Sequence, residues 1–418
     1  MDSRILKEII LQQKKEFEKK EDFVRRDILD KIENYIKLPH AIVISGMRRS
    51  GKSTLLKEIK TGFYKDKTIY YFNFEDEHLI NFTVEDFNLL YEAFVELFGK
   101  HKTFFFDEIQ NIKGWELFVR RMYDRGFKFI LTGSNSSMLS RELGSRLTGR
   151  YISIELYPFS FKEFISFKEI VIPDHILTEE RALIKSAFND YLKNGGIPEY
   201  LIYNNNELLK TLYENILYRD ILVRYGLNDE KSLKELAHYI FSNYATEISY
   251  NKLKAMLNVG SLNTVKNYIH YLENSYLVFT VPKYEYSLKK QIYSRKKIYV
   301  IDNSLINLIS FGVSQNTGNI LENLVFIELK RRNNNIYYHK DKYECDFIIT
   351  ENKTVLTAIQ VTLNLKNNKE REYRGLLEAL DKYKLDTGLI LTENEEYEEI
   401  VQNKKIIIKP IWKWLLDL

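Results

Sequence analysis

Eight residues, Gly46-Met47-Arg48-Arg49-Ser50-Gly51-Lys52-Ser53, constrain this chain more than any other stretch. They stand between a short apolar run, Ala41–Ser45, and an amphipathic helical segment. In that strand–loop–helix setting the pattern G-x-x-x-x-G-K-[ST] has a physical reading. The glycines let backbone N–H groups turn inward, and the helix that follows aims its positive end at the same point, which together make an anion cradle. Lys52 carries a point charge to the β- and γ-phosphates, and the Ser53 hydroxyl is a ligand for Mg²⁺. A chance match in a glycine-containing turn is the alternative, and the strand before and helix after the loop argue against it. The candidate ATP-binding run is therefore Gly46, Met47, Arg48, Arg49, Ser50, Gly51, Lys52, Ser53 and Thr54.

A second element complements the first. Thr103-Phe104-Phe105-Phe106-Asp107-Glu108 is an apolar strand ending in two adjacent carboxylates. In a parallel α/β sheet ligands lie beyond the carboxyl ends of the strands, where both acids would stand. Asp107 is expected to hold Mg²⁺ through water, and Glu108 to orient and deprotonate an attacking water. A helix-capping acid is the plainer reading of either one alone. The next strand, Phe127–Thr132, runs into Gly133-Ser134-Asn135-Ser136, where Asn135 or Ser134 is a candidate to touch the γ-phosphate or the water. Arg146 and Arg150, just before a fifth strand, are both candidates to stabilise transition-state charge on a neighbouring subunit's nucleotide. That role implies a homo-oligomer.

The whole chain sets bounds on these readings. At 418 residues it is too long for one ordinary domain of ~100–150 residues. With 44% hydrophobic and 29% charged residues it has the material for a substantial core. Lys and Arg number 62 against 58 Asp and Glu, a formal net charge of +4, so nucleic-acid binding would need a local patch. One cysteine, Cys345, excludes a disulfide framework and a cysteine-rich zinc site. The charged N-terminus is unlike a signal peptide, and no apolar run approaches the ~18 residues of a membrane span. A cytoplasmic protein without a membrane partner is expected. Residues 4–36 read as helix, and short apolar runs then alternate with helical segments, the pattern of a parallel sheet covered on both faces.

Taken together, Gly46–Ser53, Asp107-Glu108-Ile109-Gln110, Leu131–Ser134, Leu147–Arg150 and Leu156–Phe161 resemble the motifs of AAA+-like archaeal and bacterial ATPases of the additional-strand P-loop class. Gly195-Gly196-Ile197-Pro198 is similar to a motif of their helical lid. The resemblance implies a P-loop NTPase sheet in the order 5-1-4-3-2, a helical lid, and ATP hydrolysis with Mg²⁺.

The C-terminal half resembles modules that accompany such ATPases. Residues 231–302 look like a winged helix, with Leu262–Leu277 as third helix and Val265, Ile269 and Leu272 facing inward. Its other face carries Asn263, Lys266, Asn267 and His270, groups suited to phosphates or base edges. Lys289, Lys290, Arg295, Lys296 and Lys297, interleaved with tyrosines in a hairpin-like stretch, complete a candidate DNA surface. A solvated charged face, or protein contacts, are the alternatives. The last region resembles a PD-(D/E)XK nuclease-like α/β domain, with Glu322 on a helix and Asp346 on a strand. Gln360 stands where that pattern has glutamate and Thr362 where it has lysine, which implies a degenerate site without cleavage. A lysine from elsewhere, such as Lys340, is the candidate substitute.

The expected organisation is an N-terminal helical segment (1–40), a P-loop core (41–165), a helical lid (166–230), a winged helix (231–302) and a nuclease-like domain (303–418). The expected activity is ATP hydrolysis coupled to movement of DNA-binding modules. An ATP-dependent signalling or assembly switch without nucleic acid, and an ATP-regulated nuclease, are the rivals.

Overall fold

A computed structural model describes residues 1–136, 147–310, 317–332, 334–366 and 368–418. Two compact units emerge: residues 1–157 with 274–276, and residues 158–273 with 277–418.

The first unit is built on strands β1 (Ala41–Ser45), β2 (Tyr70–Asn73), β3 (Thr103–Asp107), β4 (Lys128–Gly133) and β5 (Tyr151–Glu155). They lie in the order β2-β3-β4-β1-β5, all neighbours parallel, which is the expected 5-1-4-3-2 sheet read from its other edge. Every residue of β1 is buried, as befits a strand covered on both faces. Successive side chains feed separate cores. Ala41, Val43, Phe104, Phe106, Phe129 and Leu131 enter one, and Ile42, Ile44, Phe105 and Ile130 enter the other. The first core is strongly aromatic: Phe104 stacks on Phe129 with centroids 5.0 Å apart, and Phe106 meets Phe74 edge-on at 5.2 Å.

The N-terminal stretch is not one helix over 4–36. Helix Ser3–Phe17 and helix Leu29–Ile36 are separated by a non-helical segment. The break has a cause: Arg26 is drawn out of helical register into a buried position, 4% exposed, where its guanidinium meets backbone carbonyls.

In the second unit, helix Thr178–Asn194 ends at Gly195, whose φ of +66° suits glycine. The Asp302 carboxylate fills the space beside it and accepts the Gly196 N–H at 2.8 Å; a Cβ on Gly195 would lie 1.8 Å from that carboxylate. Helices Glu230–Ser242, Tyr250–Leu257 and Leu262–Asn274 precede or flank an antiparallel sheet of β6 (Thr246–Ile248), β7 (Val278–Pro282) and β8 (Lys296–Val300), ordered β6-β8-β7. Between β7 and β8 lies a short helix, Leu288–Tyr293, so the basic stretch is not a plain hairpin. Helix Thr317–Arg331 leads into a six-stranded mixed sheet. Its strands are β9 (Asn335–Lys340), β10 (Glu344–Glu351), β11 (Thr354–Val361), β12 (Thr387–Thr392), β13 (Tyr397–Val401) and β14 (Lys404–Pro410), in the order β13-β14-β12-β11-β10-β9. Helix Lys369–Tyr383 covers that sheet through Leu376, Leu377 and Leu380. Among the described residues, no helix is long and apolar enough to cross a membrane.

Phe106 joins the aromatic core to the strand end that carries Asp107. Phe106→Ala is expected to lower unfolding free energy by ~3–5 kcal/mol, the usual cost of emptying a large aromatic site. Chemical denaturation followed by tryptophan fluorescence checks it, and a loss below ~1 kcal/mol would contradict the packing described.

Candidate functional site

The loop after β1 owes its shape to two left-handed positions, Arg49 at φ 64° and Gly51 at φ 94°. Gly46 has no room for a side chain: a Cβ there would sit 2.2 Å from the Leu156 carbonyl oxygen. Arg26 braces the loop from outside, donating to the Ser50 carbonyl at 2.9 Å and to the Tyr157 carbonyl at 2.6 Å. Inside, the buried Ser50 hydroxyl oxygen has no hydrogen-bond partner among the described residues. Such an orphan polar atom fits a loop shaped for an anion.

Lys52 opens helix Lys52–Phe63 and is 4% exposed. Its ammonium donates to the Gly46 and Met47 carbonyls, both at 3.2 Å, and lies 3.2 Å from Glu108 Oε1. Asp107 is fully buried at the end of β3 and accepts hydrogen bonds from the hydroxyls of Ser53 and Thr132. Thr132 Oγ1 in turn accepts the Glu108 N–H at 2.9 Å. Glu108 itself takes a left-handed backbone, φ 50°, which turns its side chain back toward the loop. Gln110 donates to Glu108 Oε2 and, at 3.2 Å, to Ser134 Oγ.

The two adjacent carboxyls are driven apart. Burial, and then the Glu108 charge, push Asp107 above the usual carboxylate range, against the hydrogen bonds from Ser53 and Thr132. Burial opposes ionisation of Glu108 as well, but the Lys52 ammonium and the Gln110 amide outweigh it and hold this group below the usual range. The Ser53 hydroxyl and Asp107 carboxylate form a hard oxygen pair of the kind that suits Mg²⁺.

Met47 is buried, Thr54 is half-buried, and Arg48 pairs with Glu75 at 2.6 Å. Asn135 and Ser134 are both buried just past β4, and Ser134 is the one that Gln110 ties to Glu108. Arg150 stands at the opposite end of the sheet from the loop: its carbonyl accepts the N–H of Ala41, where β1 begins, and its guanidinium pairs with Asp124 at 3.2 Å. It does not belong to its own subunit's loop. Arg146 lies outside the described residues. Arg26, Thr132 and Tyr276, whose hydroxyl donates to Ser45 Oγ at 2.7 Å, were not singled out from the sequence. The second of two adjacent arginines in a charge-dense stretch, a strand threonine and a tyrosine just past a helix end carry no pattern to mark them.

In the second unit, Lys266, Asn267 and His270 are exposed on one face of helix Leu262–Asn274, while Val265, Ile269 and Leu272 are buried. Lys289, Lys290 and Arg295 are exposed and Lys296 is half-buried. Lys297 is a correction. At 1% exposure it cannot meet a DNA phosphate, because β8 turns it inward onto carboxylates. Glu322, Asp346, Gln360 and Thr362 do come together, lining a cavity of about 770 Å³ with Lys340 and Arg371. Two acids not foreseen, Glu344 and Glu372, line it too. Burial and the Asp346 charge push the Glu322 carboxyl up to about 7, against the pull of Lys297.

Comparison with known proteins agrees with the first unit's architecture. Residues 39–165 match a family described as an AAA domain, and residues 185–316 and 317–414 match two families described as domains of unknown function. An uncharacterized protein of Methanocaldococcus jannaschii, MJ1544, is 38% identical over all of this chain and 96% of its own length. An uncharacterized protein of Haemophilus influenzae is 30% identical over 95% of this chain and 98% of its own. Among solved structures, the Aeropyrum pernix ORC1 protein in complex with DNA aligns at 12% identity and a TM-score of 0.28, covering 68% of this chain and 92% of that one. That likeness is too slight to carry an argument.

Arg26→Ala removes two donors from buried backbone carbonyls beside the loop. Nucleotide affinity is expected to fall about tenfold or more, at ~1.5–3 kcal/mol for hydrogen bonds to a charged group. Titration of a fluorescent ATP analogue reads this, with circular dichroism checking the fold; unchanged affinity would remove Arg26 from the site.

Proposed function

We propose, for a chain that belongs to the family of the Methanocaldococcus jannaschii protein MJ1544, that its AAA domain binds ATP and hydrolyses it with Mg²⁺. One observation carries the reading: the buried Lys52 ammonium sits among two neutral carbonyls and a single carboxylate, that of Glu108, at the carboxyl end of a parallel sheet. A polyphosphate entering the loop is a better partner for that ammonium than the carbonyls are. As Lys52 turns to the β- and γ-phosphates, Glu108 is released to accept a proton from water. Gln110 and Ser134 keep the carboxylate oriented, and the loop N–H groups and the Ser50 hydroxyl hold phosphate oxygens. Ser53 and Asp107 would hold Mg²⁺, which neutralises phosphate charge when bound.

Lys52→Ala is expected to abolish measurable ATP binding in a folded protein. Glu108→Gln should retain binding yet lower turnover by ~100-fold or more, since the amide keeps the shape but takes no proton. Wild-type turnover in the amide variant would assign water activation to another group.

Arg150, remote from its own loop, is proposed to act on a neighbouring subunit's nucleotide. ATPase rate per chain should then rise with protein concentration, and mixing Arg150→Ala with Lys52→Ala should restore activity that neither has alone. Turnover independent of concentration, in a monomer, would refute this role.

The partner we propose for the second unit is DNA, with hydrolysis coupled to its engagement. The exposed row Lys266, Asn267 and His270, with Lys289, Lys290, Arg295 and Lys296, supports the reading. Reversing Lys266, Lys289 and Lys290 to Glu should weaken binding alike for unrelated sequences and flatten its dependence on salt. Equal binding by the reversed variant would place the contact elsewhere, or nowhere.

A further inference from the structure

Lys297 is a buried ammonium held against three of the carboxylates that line the cavity of the second unit, and its surroundings are unusual. Its Nζ lies 2.7 Å from Glu344 Oε1, 2.9 Å from Glu322 Oε1 and 3.0 Å from Asp346 Oδ1. An ammonium has three N–H donors, and each here has a carboxylate. Burial alone would favour the neutral amine, but the surrounding carboxylates reverse this and hold Lys297 firmly protonated.

Other oxygens of the set are engaged as well. Asp346 Oδ2 accepts the Val361 N–H at 3.0 Å, and Glu344 Oε2 meets Lys340 at 2.9 Å. Gln360 accepts the Asp346 N–H at 3.2 Å and donates to Glu372 Oε2 at 2.6 Å, while the other Glu372 oxygen accepts from Arg371. A divalent cation needs open oxygen lone pairs converging on one point. These oxygens instead converge on N–H groups. The Mg²⁺ implied by the nuclease resemblance therefore does not fit the residues present.

We propose that Lys297 is the resident cation of this cavity, supplying from the protein the positive charge that a metal would bring, so that the cavity takes up no divalent ion while Lys297 is present. The ammonium cannot simply step aside for a metal, because a buried charge without its partners is costly. Removing it should open the site. In Lys297→Met, Glu322, Glu344 and Asp346 lose their shared cation and become a three-carboxylate set able to hold an ion.

The test is Mn²⁺ titration of the nucleotide-free full chain, with free ion counted by electron paramagnetic resonance. Any ion at the loop after β1 is common to all variants and cancels in the comparison. Lys297→Met is expected to bind about one more Mn²⁺ per chain than wild type, and Mn²⁺ should raise its Tm more than that of wild type. Equal Mn²⁺ binding by the two would overturn the proposal. If Lys297→Met does not fold, wild type and Glu322→Gln decide the matter. Identical Mn²⁺ binding by those two supports a metal-free cavity, and loss of an ion on Glu322→Gln sinks it. So would Mg²⁺-dependent DNA cleavage by wild type that disappears in Asp346→Ala.

Discussion

The first unit depends on a sheet with no polar face. Strands β1, β3 and β4 place alternate residues into two separate apolar cores, so no hydrophilic side chain can be spared along their length. Polar chemistry is pushed to the strand ends, and parallel alignment puts all the carboxyl ends together. Lys52, Asp107, Thr132 and Ser134 meet for that reason, although they come from separate parts of the chain. The left-handed backbone at Glu108 is the local adjustment that brings the second carboxylate back over the loop instead of out into solvent.

Two buried lysines show how environment divides one side chain between two uses. Lys52 has neutral carbonyls and one carboxylate, so an anion of higher charge can recruit it. Lys297 is held by three carboxylates, so its place is already decided. Both are shielded from water, where ion pairs are hardest to exchange and most dependent on complete partner sets.

The sheet is legible in the sequence because parallel buried strands appear as unbroken apolar runs, each ending in the polar residues proposed to bind. The order 5-1-4-3-2 came from the resemblance carried by those motifs. The N-terminal break was hidden, since Arg26 looks like one more charge in a charged stretch. The burial of Lys297 is hidden for a related reason. Alternation along β8 puts it on the same face as the fully buried Tyr299, a signal that Lys296 beside it disguised. Glu344 lies two residues before Asp346 on one strand face and was open to the same argument, whereas Glu372 comes from a distant helix and leaves no local trace.

The ammonium of Lys297 also works as a rivet. Its strand belongs to the three-stranded sheet, while the acids it joins stand on helix Thr317–Arg331 and on β10 of the six-stranded one. Gly196, through Asp302, adds a second fastening on the same stretch of chain. Severing the polypeptide near residue 302 would leave a stranded cation on one fragment and an acidic pit on the other. What reads in sequence as two successive modules is thus tied together by charge within one compact unit.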